Sequence, residues 1–88
     1  MKIKFKKSFL KDIEKIKDKN IKYRILKIIE EVKSAEKLKD IKNIKKLRVG
    51  ENYYRITISA YRIGLICISN LLIFVRVLHR KDIYKYFP

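Results

Sequence analysis

The feature that most constrains this fold is a single change in hydrophobic periodicity at Ile44. Before Ile44, apolar side chains recur every three or four positions, as they do along amphipathic helices. After Ile44, β-branched and aromatic residues alternate with polar ones, as they do along half-buried strands. Because the helical segments come before most of the strands, the chain is predicted to form an α+β domain and not a series of βαβ units.

The first half of the chain predicts one strand and two helices. Residues 2–6 alternate apolar residues with lysine, which favours an edge or half-buried strand. Ser8 is the predicted N-cap of a helix that runs to about Lys17, and Asn20 is the predicted N-cap of a second helix that runs to about Ala35. Because only a short break separates the two helices, they should form an antiparallel hairpin.

The second half predicts the sheet. The strand candidates are residues 44–49, 53–59, 62–69 and 71–78, and turns are predicted at 50–52 and 69–70. The expected architecture is an N-terminal strand, an antiparallel helical hairpin and then a three- to four-stranded antiparallel sheet, within one domain of residues 1–88. With the helices on one face, the other face should display Arg55, Arg62 and Arg76.

The charge of the chain is extreme and unevenly distributed. Its 24 Lys and Arg outnumber nine Asp and Glu, which gives a formal net charge of +15. Sixteen of the 18 lysines lie in residues 1–46, whereas five of the six arginines lie in residues 48–80. Guanidinium groups bind phosphate through two parallel hydrogen bonds, so the arginine-rich half is the candidate phosphate-binding region. This excess of positive charge predicts a polyanionic or acidic partner. The alternative is that it forms only a lysine-rich solvated surface.

Several classes of site are disfavoured by the composition. Cys67 is the only cysteine, which leaves no intrachain disulfide and fits a reducing cytoplasm. The longest apolar run, Ile63–Val75, is interrupted by polar residues and is too short to cross a bilayer, so no membrane partner is expected. One histidine and one distant cysteine form no ligand cluster, so neither a metal nor a cofactor is predicted.

Two segments of the second half resemble a known family. KLRVGENYYRITISAYRIGL, residues 46–65, is similar to the core pattern of RelE-type toxins, and VRVLHRKDIYKYFP, residues 75–88, resembles their C-terminal signature. The chain thus resembles the RelE/ParE superfamily of toxins from type II toxin–antitoxin systems. The resemblance implies a RelE-like fold, a ribosome-dependent mRNA endonuclease that inhibits translation, and a cognate RelB-like antitoxin. It also implies metal-free attack of a ribose 2′-hydroxyl on the adjacent phosphate.

The resemblance assigns roles to residues of the sheet. Arg62, in YRIG, matches the family's central catalytic arginine, and Arg55 matches a basic strand position that contacts RNA. Arg48 and Arg76 are further candidates for RNA binding. At Thr57 the chain departs from some members, which carry a lysine with a base-like role at that position. A hydroxyl cannot replace the charge of that lysine.

The C-terminal segment supplies the remaining candidates. Either Arg80 or Lys81 should replace the family's C-terminal basic catalytic group. His79 is either a general base or a strand-end histidine bonded to the backbone, and the sequence favours neither interpretation. Tyr84 is a candidate proton relay and Tyr86 a candidate for stacking on an unpaired base, unless one of them packs against the helices.

Two other functions are compatible with the same fold. A ParE-like toxin would inhibit DNA gyrase by binding alone, and a catalytically weak module would only bind RNA or the ribosome. Arg62 together with the HRK of residues 79–81 favours the nuclease. An acidic antitoxin is expected to dock on the helical hairpin and on the strand Lys2–Lys6, where apolar residues lie beside dense positive charge.

Overall fold

A computed structural model describes the whole chain, Met1–Pro88, and confirms the predicted α+β class and the helical hairpin. Its elements are β1 (Lys2–Phe5), α1 (Lys7–Lys15), α2 (Lys19–Ser34), a 3₁₀ turn (Leu38–Asp40), β2 (Ile44–Lys46), β3 (Tyr53–Ile58), β4 (Tyr61–Ile68), β5 (Leu71–His79) and α3 (Ile83–Tyr86). Ser69 and Asn70 both have positive φ, 47° and 65°, as a type I′ turn between two twisted strands requires. No helix is both long and apolar enough to cross a membrane.

The five strands form one sheet in the order β1-β5-β4-β3-β2. Strands β2 to β5 pair antiparallel, as predicted, but β1 pairs parallel with β5, from Lys2 beside Leu71 to Phe5 beside Phe74. The sheet is therefore mixed: the predicted N-terminal strand, whose partner and direction the sequence left open, adds to the four predicted antiparallel strands. Alternation along β1 indicates only which side chains are buried, so the partner and direction of this strand are decided by tertiary packing.

Both predicted helix N-caps were wrong. The carboxylate of Asp18 caps α2 by accepting hydrogen bonds from the amides of Asn20 and Ile21, so Asn20 lies inside the first turn. Ser8 also lies inside its helix, and its hydroxyl donates to the Val75 carbonyl at 2.6 Å. Asp18 meets the free amides of α2 through a local contact, two and three residues ahead, whereas the N-cap of α1 is Lys6 and no side chain caps that helix.

The hydrophobic core lies between the sheet and the two long helices. Ile56 and Ile63 are fully buried on the helix-covered face. Phe5, Phe9 and Phe74 join β1, α1 and β5, with ring centroids 5.2 to 5.6 Å apart. Burial of each such side chain contributes about 1.5–3 kcal/mol, so this layer supplies most of the stability of the domain.

The sheet face opposite α1 and α2, called the open face below, is partly covered by the C-terminal segment. No helix was predicted after the last strand, but residues 83–86 form α3. Ile83 and Phe87 are buried, whereas Tyr84 and Tyr86 are 55% and 61% exposed. The apolar pair is four residues apart, so one side of α3 anchors the segment and the other presents the two tyrosines.

Candidate functional site

Three residues lie side by side across the open face and form what we call the arginine row. Arg55 of β3 lies beside Gly64 of β4, and Gly64 lies beside Arg76 of β5. The C-terminal segment crosses this row, so that each arginine meets a tyrosine and the glycine meets a phenylalanine. The contacts are Tyr84 with Arg55, Phe87 with Gly64 and Tyr86 with Arg76.

Gly64 allows the C-terminal segment to approach the sheet closely. A Cβ atom at this position would lie 2.4 Å from Cδ2 of Phe87, which is closer than packed side chains can be. The Phe87 ring also packs edge-on against Tyr53, with centroids 5.7 Å apart. The glycine of the YRIG motif is therefore explained by the space that Phe87 occupies above the strand.

Arg55 and Tyr84 contact each other directly. Nη1 of Arg55 donates a hydrogen bond to Oη of Tyr84, and Cζ of Arg55 lies 5.9 Å from the centroid of the Tyr84 ring. Because the phenol oxygen accepts from the guanidinium, its own hydrogen is left for donation to another group. The pair combines a fixed positive charge with an oriented O–H donor.

Arg76 lies on the open face, as predicted, but its guanidinium is not unpaired. Nε and Nη2 donate to the two carboxylate oxygens of Asp12 at 2.7 and 2.9 Å, which forms a bidentate ion pair. These hydrogen bonds raise the pKa of Arg76 above its usual range, although burial acts in the opposite direction. Arg76 stays a predicted RNA-binding residue, but two of its donor groups already bind a carboxylate of the protein.

The Arg62 guanidinium and the Arg80 backbone both bind the turn between β3 and β4. Nη1 of Arg62 donates to the carbonyls of Ser59 and Tyr61 at 2.8 and 2.9 Å, so the turn holds this guanidinium in place. The backbone amide of Arg80 donates to the Ala60 carbonyl at 2.7 Å. This bond ties the start of the C-terminal segment to the same turn, beside Arg62.

The structure brings Arg55, Arg62 and Tyr84 together at one end of the open face, and the backbone of Arg80 binds the adjoining turn. Thr57 is the cross-strand partner of Arg62, and Arg55 is the diagonal neighbour of Arg62. Diagonal neighbours in antiparallel strands are about 7–8 Å apart, within reach of one phosphodiester and its flanking groups. We call Arg55, Arg62, Arg80 and Tyr84 the basic site. Thr57 lies within it, where some relatives carry the lysine.

His79 lies on the other side of the sheet from the basic site. It is the cross-strand partner of Tyr61, which packs against the core, and the two rings are 5.6 Å apart. Both line a cleft of about 180 Å³ that includes Asp12. Nδ1 of His79 accepts a hydrogen bond from the Lys81 amide at 3.2 Å. These contacts favour the strand-end histidine over the general base, since the Nδ1 lone pair is engaged.

Two further candidates stand apart from the basic site. Lys81 is exposed, and only its backbone amide contacts His79. Arg48 is exposed in the loop between β2 and β3, at the end of β3 remote from the turn that holds Arg62. A six-residue strand such as β3 is roughly 17 Å long, so Arg48 can contact only a distant phosphate of the same RNA.

The basic site is a surface and not a pocket, and few carboxylates oppose it. The largest cleft, about 450 Å³, is lined by residues between Glu31 and Lys42 and includes none of the candidate residues. Of the nine acidic residues, only Glu51 and Asp82 follow Ile44, against nine Lys and Arg. A shallow surface with this charge suits an extended polyanion better than a small molecule.

The role of Asp12 was not predicted from the sequence, and neither was the reason for Gly64. Asp12 is 4% exposed and lies three residues after Phe9 and four before Ile16, both of which are buried. A carboxylate at a position where the helical period predicts an apolar residue indicates a buried partner, which is a signal that the sequence carried. Gly64 interrupts an apolar strand, which indicates a close approach but not the identity of the group that approaches.

Known proteins match this chain over nearly its whole length. Residues 3–84 match the family model described as the ParE toxin of type II toxin–antitoxin systems. Toxin RelE3 of Methanocaldococcus jannaschii is 47% identical over 89 residues, and the match covers 100% of both chains.

Solved structures share the fold. The RelB–RelE antitoxin–toxin complex from Methanococcus jannaschii matches with a TM-score of 0.82 and 44% identity, over 97% of this chain and 99% of that chain. The RelE–RelB complex from Pyrococcus horikoshii OT3 matches with a TM-score of 0.72 and 16% identity, over 90% and 93% of the two chains, which supports the fold alone. The present chain therefore belongs to the ParE toxin family of type II toxin–antitoxin systems, within the RelE/ParE superfamily.

Proposed function

We propose that this chain is a RelE-type toxin that cleaves mRNA on the ribosome and thereby inhibits translation. The observation that carries the proposal is the grouping of Arg55, Arg62, Arg80 and Tyr84 at one end of the open face. The relatives at 47% and 44% identity are named RelE, which supports the RelE type within the superfamily.

The proposed reaction is attack of a ribose 2′-hydroxyl oxygen on the adjacent phosphorus. The 2′-hydroxyl loses its proton to water as a bond forms from phosphorus to the 2′ oxygen, and the bond to the 5′ oxygen breaks, which leaves a 2′,3′-cyclic phosphate and a 5′-hydroxyl. The Arg62 guanidinium stabilises the negative charge that grows on the phosphoryl oxygens. It is preorganised for this role, because the turn carbonyls hold Nη1 while Nε and Nη2 can face the phosphate.

Tyr84 and the other cations complete the proposed site. Tyr84 donates a proton to the departing 5′ oxygen, since its oxygen accepts from Arg55 and its hydrogen is available. Arg80 contacts the scissile phosphate from the same turn, and Lys81 contacts a flanking phosphate. Tyr86 offers an exposed ring for stacking on an unpaired base.

The ribosome has a physical role in this proposal. The basic site is a surface without walls, so it does not by itself align the 2′ oxygen, the phosphorus and the leaving oxygen in a flexible RNA. Such alignment supplies much of the acceleration in intramolecular displacements. A chain of charge +15 binds any RNA, but only RNA held in the decoding site is presented in the reactive geometry.

We further propose a cognate RelB-like antitoxin as the cytoplasmic partner, by analogy with the solved complexes of the relatives. The helical hairpin carries exposed apolar side chains beside its lysines, with exposures between 48% and 59% for Leu10, Tyr23 and Leu26. Such a surface suits an amphipathic acidic segment, because burial gives affinity and charge speeds association.

The deciding experiment is cleavage of one mRNA by the purified chain in a single magnesium-containing buffer, with and without programmed ribosomes. We expect new 5′-hydroxyl ends within the translated frame only when ribosomes are present. Equal cutting of naked RNA would contradict the ribosome dependence.

The ParE description of the family model favours a second candidate, inhibition of DNA gyrase. A supercoiling assay with purified gyrase tests it directly. Inhibited supercoiling with intact mRNA would establish the gyrase toxin and overturn the nuclease.

A further inference from the structure

Asp12, which the proposed reaction does not use, is the one charged side chain that the fold buries. Its carboxylate accepts three hydrogen bonds, two from the Arg76 guanidinium and one from the Val77 amide at 3.0 Å. Removing a carboxylate from water is costly unless it is paired this fully. A buried ion pair often adds little net stability compared with well-packed apolar residues, but its hydrogen bonds fix the geometry of both partners.

The ion pair lies where β1 ends and leaves the edge of β5 uncovered. Beyond Phe5, side chains of α1 satisfy the backbone of β5: Ser8 donates to the Val75 carbonyl, and Asp12 accepts from the Val77 amide. A shift in the pairing of β4 and β5 leaves Val75 bulged at this point. Bulges redirect the neighbouring side chain, and here Arg76 reaches Asp12 at the sheet edge while its Cζ remains over Tyr86 on the open face.

The position of Arg76, fixed by Asp12, in turn affects α3, because Arg76 contacts Tyr86 of that helix. A helix of four residues is too short to form without tertiary contacts. The ring of Tyr86 lies 5.2 Å from Cζ of Arg76, the geometry of a cation–π contact. Tyr84 belongs to the same single turn of helix as Tyr86, so a contact that orders Tyr86 also orders Tyr84 beside Arg55.

We propose that Asp12 is a positioning residue of the basic site: through Arg76 it fixes Tyr86 and α3, and thereby holds Tyr84 on Arg55. We call Asp12, Arg76 and Tyr86 the clamp. The proposal rests on the proposed function only for the role of Tyr84, because the order of α3 is a property of the free protein.

The first test measures hydrogen exchange of the backbone amides of Lys85 and Phe87, which donate the hydrogen bonds of α3 to Asp82 and Ile83. In the full-length chain, Asp12→Asn and Tyr86→Leu should each raise their exchange rates about tenfold, the effect of losing one charge-assisted contact. Tyr86→Phe keeps the ring and should leave these rates within about twofold of wild type. Glu30→Gln is the matched control, because it removes one carboxylate from an exposed pair with Lys33.

Unchanged exchange in either Asp12→Asn or Tyr86→Leu would overturn the clamp, and so would equal loosening by Tyr86→Phe and Tyr86→Leu. If Asp12→Asn does not fold, the two Tyr86 variants still decide, since that side chain is exposed and its removal leaves the core intact. The amides of Ile56 and Ile63 in Tyr86→Leu report whether the loosening is confined to α3.

The second test separates positioning from binding. Steady-state cleavage on ribosomes should show a kcat about tenfold lower for Asp12→Asn, with the half-saturating ribosome concentration unchanged within about twofold, because positioning acts on the reacting geometry. Glu30→Gln should keep the wild-type kcat. A raised half-saturating concentration with wild-type kcat would overturn the positioning role. If wild type itself does not cleave, the proposed function fails, while the exchange rates still decide whether the clamp exists.

Discussion

The two faces of this sheet use the same strands but are held by different interactions. On the helix-covered face, Ile56, Ile63 and Phe74 are wholly buried and contact the helices through apolar surface that has no preferred direction. On the open face, the contacts are directional: a bidentate ion pair at Arg76 and a close approach at Gly64. Apolar burial stabilises the chain, whereas the directional contacts place a few groups. Substitutions on the two faces should therefore separate stability from activity.

The largest expected effect is a loss of stability on the helix-covered face. Phe74→Ala removes a fully buried ring that contacts Phe5 and Phe9, and should lower the free energy of unfolding by about 3–5 kcal/mol. Urea denaturation followed by circular dichroism measures it. Ile68→Ala, at a half-exposed apolar position of β4, is the control and should cost under about 1 kcal/mol. Equal costs for the two variants would mean that the faces do not differ as described.

The next effect is a loss of activity without a loss of stability. Arg62→Ala should lower ribosome-dependent cleavage about 100-fold or more, because it removes a preorganised charge from the transition state. The free energy of unfolding should stay within about 0.5 kcal/mol of wild type, as for most surface substitutions. Arg24→Ala makes the same change in net charge on α2, and should cleave normally. Wild-type cleavage by Arg62→Ala would remove Arg62 from the mechanism.

Gly64→Ala should affect both stability and activity, because Gly64 contacts Phe87, a buried residue of the C-terminal segment that also carries Tyr84. The new Cβ displaces Phe87, so the free energy of unfolding should fall by about 1–3 kcal/mol, and cleavage should fall as α3 loosens. The control is a double-mutant cycle with Phe87→Ala. If the clash is the cause, Gly64→Ala should cost little stability in the Phe87→Ala background. Additive costs would place the effect of Gly64 elsewhere in the strand.

The smallest effect should distinguish two neighbouring cations of the C-terminal segment. Arg80 is tied to the turn beside Arg62, so Arg80→Ala should lower the cleavage rate, by roughly tenfold for one charge-assisted contact. Lys81→Ala should mainly weaken ribosome binding, and more so as the salt concentration rises. Cleavage rates at saturating ribosomes and binding at two salt concentrations separate the two outcomes. Equal and small effects of both substitutions would show that this segment lies outside the site.

Much of the fold was predictable because apolar spacing reports burial directly. The three- to four-residue spacing of apolar residues before Ile44 predicted both helices. The alternation along β3 correctly put Ile56 and Ile58 in the core and Arg55 on the opposite face. The Ser69-Asn70 turn followed from local chemistry alone. The grouping of Arg55 with Arg62 was predictable for the same reason, since the two lie on adjacent strands of one hairpin.

The remaining features depend on contacts between residues far apart in the chain, which no local pattern records. The parallel pairing of β1 with β5 joins residues about seventy positions apart, and Asp12 and Arg76 are separated by 64. Sequence pattern made His79 a possible base beside Arg62, but one residue of alternation puts the two on opposite faces of the sheet. α3 was missed because four residues cannot reveal a helix that only its partners stabilise.

The sequence by itself determined the α+β class, the two amphipathic helices, the antiparallel hairpins and the concentration of arginine on the strands, because each follows from local period, turn chemistry or composition. Only the tertiary structure decided which partners each arginine has, and therefore which guanidinium groups are not already paired with a carboxylate. Arg76 and Arg62 lie on the open face of neighbouring strands, yet one is paired with a buried carboxylate and the other is held by its own turn. The physical reason is that the availability of a charge depends on its partners in space, and Asp12 reaches Arg76 only when α1 packs along the uncovered edge of β5.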